Sequence, residues 1–290
     1  MAVTELLIEG RGRELAPGFE VRRILPAPDR RHVGPFVFLD HMGPVDAGPR
    51  GIADVRPHPH IGLATVTWLF SGEIVHRDSL GYVQPIRPGE LNWMSAGRAI
   101  THSERMPEDP PGGTVHLHGV QAWVALPRAM EESEPFFTHV GQDVLPVVYE
   151  QGARLTVIAG RAFDVESPLE TPSPLFYVEA KLDPGGVITL PDEYAERAAY
   201  VAEGCVTTPD GEVGAGTLAV FAPGQPVTIR AETGARAMLL GGAPLDGERH
   251  IHWNFVASDK AMIERARQEW RDGKFPAVPG ETEFIPLPPA

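Results

Sequence analysis

Two short segments in the first half of the chain carry the residue types and spacing of metal ligands: His58-Pro-His60 and His102-Ser-Glu104. On a β-strand, residues i and i+2 project to the same face. Each pair can therefore aim both side chains into one interior. Two such strands side by side present three imidazoles and one carboxylate, a nitrogen and oxygen set suited to Fe, Zn, Cu, Ni or Mn. Around an octahedral ion, four protein ligands leave two positions open, whereas a closed tetrahedral zinc site uses the same number. An isolated His-x-His is weak evidence. The chain has two more, His116-Leu-His118 and His250-Ile-His252, read as incidental histidines. His58 and His60 differ in having a second pair to match them.

The elements that must position these residues are strands. Apolar or alternating runs recur at Thr65–Phe70, Glu73–His76, Glu90–Met94, Val120–Leu126, Leu155–Ala159, Leu175–Ala180, Arg197–Ala202, Gly216–Ala222 and Ala237–Leu240. Most are bounded by Gly, Pro or Asp, which predicts an all-β protein. One helix is expected near the C-terminus, with Ser258 as N-cap, Ile263, Ala266 and Trp270 on one face, and Gly273 just past its end.

The two halves also resemble each other. Trp68 to Val75 and Ile86 to Gly97 have counterparts in Ala199 to Val206 and Val213 to Gly224. In each half a strand, a glycine and a strand lead to two glycines with an apolar strand between them. The expected organisation is an N-terminal metal-binding barrel, 1–135, and a C-terminal metal-free barrel with the helix and tail, 136–290. Counting from Gly204 and Gly224, the second copy has Leu190, Asp192, Ile229 and Ala231 where the first has its ligands. Three of the four ligand types are gone, so the second barrel should hold no metal.

Composition narrows the function. With 31 Gly and 30 Pro spread along the chain, many short strands and tight turns fit better than a disordered tract. The net charge of −14 should repel phosphate backbones, so no direct nucleic-acid binding is expected. No apolar run is long enough for a membrane helix, and the first residues lack a signal peptide's apolar stretch. The single cysteine, Cys205, rules out an internal disulfide framework and suits the cytoplasm, the expected location. Cys205 is read as a buried apolar residue, Trp93 and Met94 as barrel core, and His76 as a structural histidine with a possible role behind a ligand.

The ordered motifs Arg56-Pro-His-Pro-His60, Thr65-Val-Thr-Trp68, His76-Arg-Asp-Ser-Leu-Gly81, Pro88-Gly89, Trp93-Met94 and Ala96-Gly97 leading to His102-Ser-Glu104 resemble the pirin signature of the cupin superfamily. Gln121-Ala-Trp123, Trp253-Asn-Phe-Val256, Phe275-Pro276 and Phe284-Ile-Pro-Leu-Pro288 extend the resemblance over nearly the whole chain. It implies two tandem cupin jelly-roll barrels, with iron (Fe2+/Fe3+) in the first held by His58, His60, His102 and Glu104; Zn, Mn, Ni or Cu are possible substitutes. Ala64 departs from the pattern, since many relatives have Glu there, and should leave more room in the pocket.

The resemblance implies two functions. One is a quercetin 2,3-dioxygenase acting on a flavonol or similar small aromatic. Glu104 would then take the substrate proton, and Val66, Trp68 and Trp93 would form an apolar wall. The other is a non-enzymatic redox-sensing regulator, a transcriptional or metabolic co-regulator working through a protein partner. A monomer is expected in either case.

Overall fold

In a computed structural model of the protein, residues 2–16, 18–47 and 53–289 are described. Almost all the regular structure is β. The apolar runs become the strands Leu63–Ser71, Ile74–Asp78, Leu91–Ser95 and Val115–Ala125 in the first half, and Ala153–Ala162, Leu175–Leu182, Glu196–Thr208, Thr217–Phe221 and Ala235–Gly242 in the second. Their β-branched and aromatic side chains fill a pleated, half-buried surface well. Among the described residues no helix is long and apolar enough to cross a membrane.

The chain divides into two compact units, but not by a single cut. One unit comprises Arg13–Val21, Met42–His139 and Leu245–Ala290; the other comprises Met1–Gly12, Arg22–His41 and Val140–Pro244. The chain ends therefore depart from the two blocks 1–135 and 136–290. The first strand, Thr4–Glu9, pairs with Thr217–Phe221. The C-terminal helix, Lys260–Arg271, belongs with the first half. Its apolar face needs a cover, and Ile263 and Ala266 find one in a cluster with Ile61, Phe255 and Phe275. The helix N-cap is Asp259, whose carboxylate accepts the Ala261 N–H at 2.8 Å. Ser258, the expected cap, instead donates its hydroxyl to buried Glu131 at 2.7 Å. Gly273 follows the helix with φ 65°, as a C′ glycine should.

In the unit holding His58, a four-stranded sheet runs in the order Val55–His60, Ile100–Arg105, Ile74–Asp78, Val83–Ile86. In a larger sheet, Phe136–Val140, Leu91–Ser95, Leu63–Ser71 and Val115–Ala125 lie side by side in that order. The two sheets share one core, in which Leu69 and Leu117 from the larger pack with Ile74 and Ile86 from the smaller. Gly97 turns the chain into the strand Ile100–Arg105. Its φ is 49°, and a Cβ there would lie 2.1 Å from the Ser133 carbonyl oxygen, so a larger residue would have to move backbone. Gly224, its counterpart in the other half, is also in the left-handed region, with φ 69°.

The other unit is built on a sheet in which Thr4–Glu9, Thr217–Phe221, Glu196–Thr208, Ala235–Gly242, Leu175–Leu182, Ala153–Ala162 and Val147–Glu150 are successive neighbours. Its apolar core runs from Leu155, Val157 and Phe176 to Ile229 and Leu239.

Candidate metal centre

The two ligand-bearing strands pair directly. Val55–His60 runs antiparallel to Ile100–Arg105, with Ile100 opposite His60 and His102 opposite His58. Strand alternation puts His58, His60 and His102 on one face, and all three are buried. One ring nitrogen of each lies within 4.8 Å of the others, and among the described residues these three form the single such group of potential ligands. The rings are close: 4.3 Å between the centroids of His58 and His102, and 5.0 Å between His60 and each of the other two.

The hydrogen bonds fix which nitrogen each ring offers. A neutral imidazole has one N–H and one lone pair. A carbonyl oxygen can only accept, so His58 donates from Nδ1 to Arg56 O at 2.9 Å, and His60 from Nδ1 to Asn254 O at 3.1 Å. Both are left with a bare Nε2. His102 lies with Nδ1 3.4 Å from Nδ1 of His76, and His76 Nε2 lies 2.9 Å from Asp78 Oδ2. The carboxylate takes the His76 Nε2–H, so His76 accepts from His102 Nδ1–H, and His102 too has a bare Nε2. The Nε2 atoms of His60 and His102 then face each other at 3.1 Å. Two lone pairs at that distance repel unless a cation lies between them. The donor set thus fits a metal by its chemistry, and His58, His60 and His102 would hold it.

Burial keeps these rings neutral. It pushes His58 down to about 4, aided by the nearby His76 and opposed by the bond to Arg56. His60 and His102 are held well below the usual histidine range by burial and by neighbouring imidazoles. Neutral rings are the form that binds metal.

Glu104 lies on the same strand as His102, but the register against Val55–His60 shifts between them, and Glu104 falls opposite Val55. Its carboxyl stands outside the group of mutually close nitrogens. It is buried, and its Oε1 accepts from Gln121 Nε2 at 2.7 Å. Burial pushes Glu104 up to about 7, against the opposing effect of Gln121.

The larger sheet covers this cluster with Gln121, Thr67 and Trp123. Gln121 Nε2 also reaches Thr67 Oγ1 at 3.4 Å, and Trp123 meets His60 edge-on at 5.2 Å. Thr65 and Met94 share that face, because they pair with Trp123 and with each other. Val66, Trp68 and Trp93 do not: they alternate with Thr65, Thr67 and Met94 and so lie on the opposite face of the sheet. The apolar wall expected from them is not next to the imidazoles. Ala64 is also on that back face, so its small size does not enlarge the metal pocket.

The remaining histidine pairs stand apart from the cluster. His116 is exposed and bonds to Asp46; His118 packs edge-on against Phe70. His250 and His252 lie on the short strand His250–His252, facing Phe255–Ala257. A cavity of about 520 Å³ is lined by Pro57, Thr101, Trp270, Phe275 and Phe284. Pro57 and Thr101 alternate with the ligands, so it opens on the outer face of the ligand strands.

Residues 18–124 match the family model described as Pirin, and residues 177–276 match the Pirin C-terminal cupin domain. A pirin-like protein of Caulobacter vibrioides is 49% identical, over 98% of this chain and 99% of its own. The chain belongs to the pirin family. A Pseudomonas aeruginosa protein with a provisional quercetin 2,3-dioxygenase name is 37% identical, over 92% of this chain and 83% of its own. The crystal structure of a quercetin 2,3-dioxygenase from Acinetobacter baumannii superposes with a TM-score of 0.91 at 32% identity, covering 98% of this chain and 95% of that one. The fold of this pirin is accordingly a pair of cupin barrels.

Sequence reasoning missed the supports of the centre. Asn254 fixes the tautomer of His60 from the C-terminal segment. That segment is tied to the ligand strands by Ile285 N–H on Pro57 O at 2.8 Å, and by Glu281, which accepts from Ser103 Oγ at 2.8 Å and from Arg105 Nε at 3.1 Å. The motif containing Asn254 was visible in the sequence, but its contact with His60 spans most of the chain.

Proposed function

We propose that this pirin is a mononuclear iron oxygenase of the quercetin 2,3-dioxygenase type. His58, His60, His102 and Glu104 form the ligand set, and a flavonol or similar small aromatic is the substrate. The observation that carries this reading is three bare imidazole Nε2 atoms converging beside a buried, polar-held carboxyl. The named relatives and the Acinetobacter structure support the same chemistry.

In such a reaction the flavonol takes up O2, its heterocyclic ring opens, and one ring carbon leaves as carbon monoxide. Bound iron would supply Lewis acidity towards the flavonol oxygens and redox capacity towards O2. The chain supplies the proton handling. Ionised Glu104 accepts the flavonol hydroxyl proton. Gln121 holds Oε1 and leaves Oε2 for the incoming proton. Trp123, Met94 and Thr65 give the planar substrate a largely apolar surface beside His60. The charge left on the flavonol after proton loss is what makes its ring reactive towards O2.

The test is O2 consumption together with carbon monoxide release from quercetin by iron-loaded protein, against a free-iron control. Stoichiometric carbon monoxide above that control is expected, and Glu104→Gln should keep metal while losing most of the turnover. Carbon monoxide no higher than the control would defeat the flavonol reading and leave the redox-regulator reading in front.

A further inference from the structure

We infer that Asp78 and His76 are positioning residues of the metal centre, acting as a carboxylate–imidazole relay that dictates which nitrogen of His102 faces the metal. The inference rests on the metal-site reading above but not on the choice of iron or of a flavonol.

The backbone builds the relay. Ile74–Asp78 is the second neighbour of the strand carrying His102, with His102 opposite Asp78 and Glu104 opposite His76. His76 and Asp78, two residues apart, share a face and meet through His76 Nε2 and Asp78 Oδ2 at 2.9 Å. Both are sealed from water: Asp78 is 0% and His76 3% exposed. The other Asp78 oxygen, Oδ1, is held by two backbone donors, Leu80 N–H at 2.9 Å and Tyr82 N–H at 3.1 Å. These lock the carboxylate in place with Oδ2 pointing at the ring. Phe137 stacks on His76 at 4.5 Å with 17° between the planes, which limits rotation of the ring.

The consequence follows from donor and acceptor counting. Asp78 has no proton to give and so takes the His76 Nε2–H. His76 then has a lone pair at Nδ1 and takes His102 Nδ1–H across 3.4 Å. His102 is thereby required to present Nε2 bare. His58 and His60 have the same requirement met by a single backbone carbonyl each. His102 instead reaches a buried carboxylate through a second ring. A relay ending in a carboxylate also makes the ligand more basic than a carbonyl does.

The test exploits the direction of these bonds. In Asp78→Asn, the backbone N–H groups of Leu80 and Tyr82 keep the amide oxygen, so the amide NH2 faces His76. His76 must then accept at Nε2 and carry its proton on Nδ1, where it collides with His102 Nδ1–H. His102 is driven to the tautomer protonated at Nε2, which cannot ligate; an Asp to Asn change behind an imidazole acts in the same way in hydrolase triads. His76→Ala removes the partner without imposing the wrong tautomer.

Co(II) affinity of the full chain, measured by competition with a chelator, should fall about 10-fold in His76→Ala and about 100-fold in Asp78→Asn, the span typical of outer partners of a ligand. The double variant should bind like His76→Ala alone, more tightly than Asp78→Asn. Proton NMR of the Co(II)-loaded protein should show the exchangeable Nδ1–H signal of His102 shifted or lost in His76→Ala, with those of His58 and His60 unmoved. This second readout decides the matter if Asp78→Asn fails to fold. A double variant weaker than Asp78→Asn, an Asp78→Asn that binds like the wild type, or an unmoved His102 signal would overturn the relay. Failure of the wild type to bind Co(II) or Fe(II) would instead overturn the metal-site reading itself.

Discussion

Where one barrel of this pirin carries His58, His60, His102 and Glu104, counting from the shared glycines puts Leu190, Asp192, Ile229 and Ala231 in the other. The corresponding strands are also paired, Val187–Thr189 against Thr228–Arg230. There Leu190, Ile229 and Ala231 are buried in a cluster of apolar side chains. In the first barrel the same place is filled by imidazoles, a carboxyl and the polar groups that orient them. The frame of strands and left-handed glycines is thus compatible with either filling. What distinguishes the metal barrel is a closed set of hydrogen bonds that leaves three nitrogens without a partner.

The sharpest way to break the comparison is to remove one ligand. His102→Ala should abolish stoichiometric metal, a loss well beyond the roughly 10–100-fold caused by an outer partner. His118→Ala and His252→Ala should keep it. Elemental analysis after iron loading and desalting reads the outcome, with about one metal per chain expected for the wild type. Two metals per chain, or full retention in His102→Ala, would mean that the second barrel or another histidine pair holds metal.

The reverse substitution probes the apolar barrel. Ile229 is 0% exposed. Ile229→His would bury a ring with no donor or acceptor waiting for it, and should destabilise the protein by about 1–3 kcal/mol without creating a metal site. Urea unfolding of the metal-free protein measures the first effect and metal analysis the second. An unchanged midpoint would show that the second core is looser than its uniform burial implies.

Much of this contrast could be read in the sequence, for a physical reason: strand periodicity is local. The i, i+2 spacing of His58 and His60 and the β-branched runs need no knowledge of the rest of the chain. The repeat located the right strands in the second half, but its register was two residues off. The ladder sets Ile229 opposite Ile188, and the pair nearest Leu190 is made with Val227. A shift of two keeps the same face, and Ile188 and Ile229 both lie in the buried apolar cluster. The contributions of Asn254, Gln121 and Asp78 could not be read, because each acts through a contact without local periodicity. The helix Lys260–Arg271 was recognised from its own pattern and assigned to the wrong barrel, since an amphipathic face does not say what will cover it. Val66, Trp68 and Trp93 were placed on the wrong face because a fully buried strand is apolar on both sides and its pattern does not tell inside from outside.

A smaller effect separates the two interiors by pH. In the metal-free protein the folded His58 titrates at about 4, below the ordinary value of 6.5. A depressed pKa contributes stability that is present above 6.5 and is lost as the pH falls through 4. His60 and His102 act in the same direction. Glu104, raised from 4.5 to about 7, acts oppositely: its contribution is complete below 4.5 and is lost as the pH rises through 7. Between 4.5 and 6.5 the three imidazoles outweigh the one carboxyl, so the metal-free protein should lose stability on acidification over that window. Saturating metal, whose binding releases a proton in this range, should steepen the loss. Thermal unfolding across the window checks this, and stability rising towards pH 4.5 would show that the imidazoles are not buried neutral in solution.

The smallest effect is a proton count, and it bears on Glu104. At pH 6 the metal-free site has neutral imidazoles, because their values lie well below the ordinary one, and a largely protonated Glu104, because its value is about 7. A metal entering the site needs no proton removed from the rings. It does favour the ionised carboxyl, either by direct ligation or through its charge. Binding at pH 6 should therefore release about one proton, and binding at pH 8.5, where Glu104 is already ionised, should release almost none. Calorimetric titration with Co(II) in buffers of different ionisation enthalpy gives the number directly. Glu104→Gln should bring the pH 6 value near zero while retaining measurable binding. If the wild type releases the same number at both pH values, Glu104 does not change state on metal binding. It would then be a fixed hydrogen-bonding group beside Gln121, and the proton-accepting role proposed for it would have to pass to another group.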